Sequence, residues 1–174
     1  MKELGRENRV VTSYIKQKAE FSINDLINRA TSWYYKYRYY FTEKEHTEKV
    51  KPEGLEMEIQ WDGKRKIDEY FMFNIRAHLF LWRYKPIKLD EEGKMIKQGQ
   101  GEIEIIVYGD LVKDWRNTYP TRGFGEFLRV VNERFFMKDR IEKLEGKLRT
   151  ECQDLMNLIK KNLAQKLRYP EETI

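Results

Sequence analysis

Cysteine, histidine and proline are scarce in this sequence: one, two and four residues among 174. A lone Cys152 excludes an intrachain disulfide and points to a reducing, cytoplasmic setting. His46 and His78 have no cysteine or carboxylate spacing that would complete a zinc site, so no metal is assigned. No apolar run approaches the ~20 residues that span a bilayer. The opening MKELGRENRV has no apolar leader core, and no lipidation box ends the chain. Neither a GxxxxGK[ST] phosphate loop nor a GxSxG elbow occurs. Glu56 with Glu58, and Glu102 with Glu104, read as the wet side of a sheet rather than as acid–base pairs. No catalytic residue and no cofactor is therefore assigned, and the expectation is a non-enzymatic protein.

Charge and aromatics are abundant. Charged residues make up 36%, above the roughly 25% of ordinary domains, and resemble the charge-rich surfaces of heat-adapted proteins. Thirty-four cations against 29 anions leave +5, with a pI near 9.1, a balance that favours anionic partners. Aromatics at 14% argue against disorder. The length predicts a single α+β domain over 1–174, with loose ends at 1–9 and 170–174.

Along the chain, VVTSYI (10–15) fits either a short strand or the approach to a helix. Ser22, three residues before Asp25, reads as an N-cap, and Ile23, Leu26, Ile27, Ala30 and Trp33 or Tyr34 follow at helical spacing. WYYKYRYYF (33–41) then holds seven aromatics and two cations. Its period of two predicts a strand over about 36–43, with Trp33, Tyr35, Tyr37, Tyr39 and Phe41 inward and Tyr34, Lys36, Arg38 and Tyr40 on the other face. Residues 42–54 read as a charged loop. LEMEIQW alternates as a strand, Asp62-Gly63 marks a hairpin turn, and the return strand runs from about Ile67 to Tyr84. Residues 86–101 read as a long hairpin tip, 102–111 as the fourth strand, and 110–125 as loop. A helix then begins at Phe127 and kinks near Phe135–Phe136. From Ile141 through Leu144, Leu148, Cys152, Leu155, Ile159 and Leu163 the apolar steps repeat every 11 residues, close to the natural helical period.

The predicted architecture is an N-terminal helix, an antiparallel meander of about four strands, and a long C-terminal helix packed across the sheet. Over residues 22–167 that order resembles the helix-grip fold, with fewer strands than the fold usually carries. The resemblance implies an apolar cavity and a hydrophobic small-molecule ligand.

RGFG (122–125) resembles the octamer of the RNA-recognition motif, but with Glu126 at an aromatic position and in the wrong strand context. Interleaved aromatics and cations suit single-stranded nucleic acid, since stacking is worth ~1–3 kcal/mol per base. The expected RNA or ribonucleoprotein contacts are Tyr34, Lys36, Arg38 and Tyr40, joined by Arg76 and His78 on a neighbouring strand. Arg122 and Gly123 would add a phosphate cradle at a helix start. Lys160, Lys161, Lys166 and Arg168 form a basic tail suited to RNA or an acidic membrane surface. A hydrophobic-ligand carrier and a protein–protein adaptor are the alternative functions.

Overall fold

A computed structural model describes residues 6–91, 94–120 and 122–164, the side chains of 86–97 excepted. In chain order the elements are β1 (Glu7–Phe21), α1 (Ile23–Lys36), β2 (Tyr40–Lys51), β3 (Gly54–Lys66), β4 (Phe71–Glu91), β5 (Lys94–Lys113), α2 (Phe124–Phe135) and α3 (Lys138–Ala164). The fold is α+β, with a long C-terminal helix packed against an antiparallel sheet, as the sequence predicts. The sheet has five strands rather than four, in the order β1-β5-β4-β3-β2.

The fifth strand is β1, which absorbs the ambiguous VVTSYI and begins at Glu7, inside the segment expected to be loose. Val11, Ile15 and Ala19 alternate toward the helices and pack on the core. Phe71, Phe73, Ile75, Ala77, Leu79 and Leu81 of β4 and Ile103, Ile105 and Val107 of β5 are buried on the same face. Period-two alternation places these side chains correctly.

α3 lies over β1 and β5 and against α1. Its 27 residues extend about 40 Å. Leu148, Cys152, Leu155, Ile159 and Leu163 are buried along one stripe, as the 11-residue repeat predicts. Gly109 permits the close approach of α3, because a Cβ there would stand 2.6 Å from Cys152 Sγ. Burial pushes the Cys152 thiol up to about 12, the state of a small core residue rather than of a nucleophile.

Three further boundaries differ from expectation. Residues 42–51 continue β2 instead of forming a loop, since an edge strand can carry charge on both faces. Asp62 and Gly63 lie inside β3, paired with Thr42 and Phe41, and do not turn. Gly63 is required because the Tyr34 ring rests on it and would collide with a Cβ. β4 and β5 remain paired as far as Glu91 and Lys94, so the expected tip over 86–101 is mostly ladder.

Candidate docking surface

The aromatic run is not a strand. Ser22 caps α1, its Oγ accepting from the Asp25 N–H at 3.3 Å. The helix then runs through Trp33, Tyr34 and Tyr35 to Lys36. It closes with paired bonds from the Tyr39 N–H to the Tyr34 carbonyl and from the Arg38 N–H to the Tyr35 carbonyl, both 2.9 Å. This is a Schellman closure, which places one residue in the left-handed region; here Arg38 takes it, at φ 59°. β2 starts only at Tyr40.

The expected contact face over 34–40 therefore does not form. Tyr34 is 0% exposed, with its hydroxyl donating to the Ile75 carbonyl at 3.3 Å, and it cannot stack a base. Burial drives its phenol well above the ordinary range. Lys36 and Arg38 are exposed at the helix end, and Tyr40 is exposed at the start of β2.

Those rings hold the molecule together. Trp33 stacks on Tyr37 with centroids 4.5 Å apart, and Tyr34 meets Tyr39 edge-on at 6.0 Å. Tyr39 donates to Glu151 of α3 at 2.6 Å. Arg65 of β3 donates to both oxygens of the same carboxylate, at 2.7 and 2.8 Å, and to the Tyr37 carbonyl at 2.7 Å. Its guanidinium also lies over the Tyr39 ring, 4.5 Å from the centroid. One buried carboxylate thus ties α3, β3 and the α1–β2 turn together.

The outer sheet face is neutralised rather than cationic. Its ladder rows include Lys64–Asn74–Asp110–Arg9 and Asp62–Arg76–Tyr108–Thr12. Arg76 pairs with Asp110 at 2.5 Å and with Glu7 at 3.2 Å. Arg9 also pairs with Asp110 and covers the Tyr108 ring. His78 is half-buried against Tyr108, and burial followed by the nearby Arg76 cation lowers it below the usual imidazole range. Farther along, Lys16 lies over Trp82 and pairs with Glu102 and Glu104. Arg76 and His78 share this face with Tyr40, but Asp62 and Lys64 of β3 stand between.

Gly123 is the N-cap of α2 at φ 72°, so that helix begins three residues before the expected Phe127. Arg122 is exposed just ahead of it. Lys160 and Lys161 are exposed on α3, while Lys166 and Arg168 lie outside the described residues. Among the described residues no hydrogen bond, ion pair or ring contact joins Arg122 to Lys36, Arg38 or Lys160. An apolar gap of about 10 Å³ beneath the start of α1, lined by Phe21, Leu26, Ile59 and Ile103 among others, has room for one water. A small-molecule pocket needs roughly 300 Å³ or more.

The unusual surface is α2. Its buried side chains are Arg129 and Glu133, 2% and 9% exposed. Glu133 accepts from Tyr70 at 2.6 Å, from Lys113 at 2.7 Å and from Arg129 at 2.7 Å. Glu126 also pairs with Arg129. Burial, then the Glu133 hydrogen bond, raises the Tyr70 phenol far above its ordinary value. On the opposite side, at helical spacing, Phe124, Phe127 and Phe135 are 74%, 61% and 71% exposed. Leu128 and Val130 are exposed beside them, and Phe136, just past the helix, is 82% exposed. The three rings on this side leave roughly 400 Å² of apolar surface facing outward, within the range of the largest patch on an ordinary monomer.

From sequence, Phe127, Leu128 and Val131 read as the start of the C-terminal helix, with no direction assigned to them. The missed signal is Glu126–Arg129–Glu133, whose three- and four-residue steps place a chain of mutually satisfying charges on the other side. No family model matches the chain, and no curated protein is significantly similar to it.

Proposed function

We propose that the chain is a non-enzymatic docking module that joins a larger structure through the outward face of α2. The supporting observation is the orientation of that helix. A surface helix ordinarily buries its apolar stripe. α2 instead fastens itself with Arg129 and Glu133 and presents three phenylalanines. An apolar patch of this size is costly to leave in water, and such patches mark sites of association. The reading belongs with the adaptor alternative drawn from sequence.

RNA binding has less geometric support. It retains the net charge of +5 and the exposed Lys36, Arg38, Tyr40 and Arg122, but loses Tyr34 to the core and Arg76 to Asp110. A hydrophobic carrier would need more space than the gap beneath α1 offers.

A photo-crosslinking phenylalanine analogue tests the docking reading. Placed at Phe127 in the producing cell, it should yield adducts absent when the same group replaces Val50, which is exposed on β2. Identical adduct patterns at the two positions would refute it.

A further inference from the structure

We infer that the surface engaged by α2 is an anionic lipid bilayer, with the helix lying flat and its phenylalanines entering the headgroup–acyl boundary. The inference rests on the docking reading and specifies its partner.

Charge around the patch narrows the choice. The acids of α2 are turned inward and engaged: Glu126 with Arg129, and Glu133 with Tyr70, Lys113 and Arg129. Arg122, Arg134 and Lys138 are exposed at its two ends, and none makes an ion pair among the described residues. Asp139 and Glu142, in the first turns of α3, are exposed acids beside Lys138. The rim therefore calls for a negative partner. A second copy fits poorly. Parallel two-fold pairing of α2 sets each cation against its own mate, and antiparallel pairing sets Arg122 against Arg134 and Lys138.

The chemistry of the patch separates a bilayer from an acidic protein. Phe124, Phe127, Leu128, Val131 and Phe135 contain no side-chain donor or acceptor, and beyond the first turn the backbone between them is bonded within the helix. Protein interfaces carry about one hydrogen bond per 100–200 Å². A bilayer boundary asks for no directed bonds. It takes apolar rings at one depth with cations at the phosphate level. α2 is already folded and mounted on the domain by its inward charges, so it meets the membrane without an ordering cost. Among the described residues no helix is long and apolar enough to cross a membrane, so the contact is peripheral.

Vesicle flotation with the full chain tests this. The protein should float with vesicles of equal parts phosphatidylcholine and phosphatidylglycerol and stay behind with phosphatidylcholine alone. Phe127→Ser with Phe135→Ser should lower partitioning at least about tenfold without lowering the melting temperature. Replacing Arg122, Arg134 and Lys138 by alanine should lower it on the order of 100-fold at low salt. Equal flotation with both vesicle types, or undiminished flotation of the double serine variant, would overturn the inference. Absence of flotation together with protein adducts specific to position 127 would overturn it while leaving the docking reading intact. Absence of both would end the two together.

Discussion

α1 and α2 are amphipathic helices of similar length on one sheet, yet they are mounted in opposite senses. α1 buries Leu26, Ala30, Trp33 and Tyr34 and leaves polar residues such as Asn24, Asp25 and Arg29 in water. α2 buries Arg129 and Glu133 and leaves Phe124, Phe127 and Phe135 in water. Hydrophobic periodicity reports that a helix has two faces. It does not report which face is turned inward when the polar face carries its own complementary charges and finds Tyr70 and Lys113 waiting. The first arrangement gains stability from its rings, and the second forgoes that gain and keeps the rings available.

The sharpest way to break this contrast is to truncate one ring from each helix. Tyr34→Ala should cost about 4 kcal/mol, because a fully buried ring leaves a cavity over Gly63. Phe127→Ala should change stability by no more than about 0.5 kcal/mol, as at other exposed positions. Urea unfolding of the two variants decides it. A large loss at position 127 would mean that α2 is packed against something, and the contrast would fail.

The carboxylates that anchor the two regions give the next effect. Glu151→Ala strands Arg65 and the Tyr39 hydroxyl and should cost about 3 kcal/mol of global stability. Glu133→Ala strands Tyr70 and Lys113 at the margin of the fold. It should instead act locally, lowering hydrogen-exchange protection in α2 while the sheet amides keep theirs. Equal loss of protection throughout the molecule would show that α2 is integral to the core.

Both regions also show what could be read in advance. The inward faces of β3, β4 and β5 and the stripe of α3 were legible, since each is a period with one buried side. β2 was hidden because TEKEHTEKVK, on an edge, has little to bury and uses charge to keep that edge from pairing. The turn expected at Asp62-Gly63 failed because that glycine answers a ring packed on it rather than a bend in the chain. WYYKYRYYF satisfies two periods at once. With five tyrosines in nine positions, side-chain type could not arbitrate, and the glycine that usually ends a Schellman closure is replaced by Arg38. The aromatic part of the expected RNA surface rests on that misread pleat, whereas its basic pI, Arg122–Gly123 and basic tail do not. The docking surface was visible as spacing but not as direction.

The disguised helix end supplies the third prediction. Arg38 occupies a left-handed conformation that costs an L-residue with a Cβ roughly 1 kcal/mol. Arg38→Gly should therefore raise stability by about 1 kcal/mol, offset in part by the greater freedom of glycine in the unfolded chain. A fall in the urea midpoint would mean that the guanidinium contributes a contact worth more than the strain. No such adjustment is open to α2, where Gly123 already holds the positive φ.

The smallest effect lies on the exposed edge, apart from either helix. His46 stands between Glu43 and Glu48, with ring nitrogens 3.1 and 2.9 Å from their carboxylates. Burial works against its charged form, but the hydrogen bonds to Glu48 and Glu43 outweigh it and raise the imidazole above its usual value. A group raised on folding stabilises fully below its unfolded value of about 6.5 and loses that contribution as pH rises through the folded value. The stability difference between the wild type and His46→Asn should favour the wild type by a few tenths of a kcal/mol near pH 6 and vanish near pH 9. Urea midpoints at the two pH values measure it, and a difference that grows with pH would mean that the neutral ring, rather than the charged one, is held by β2.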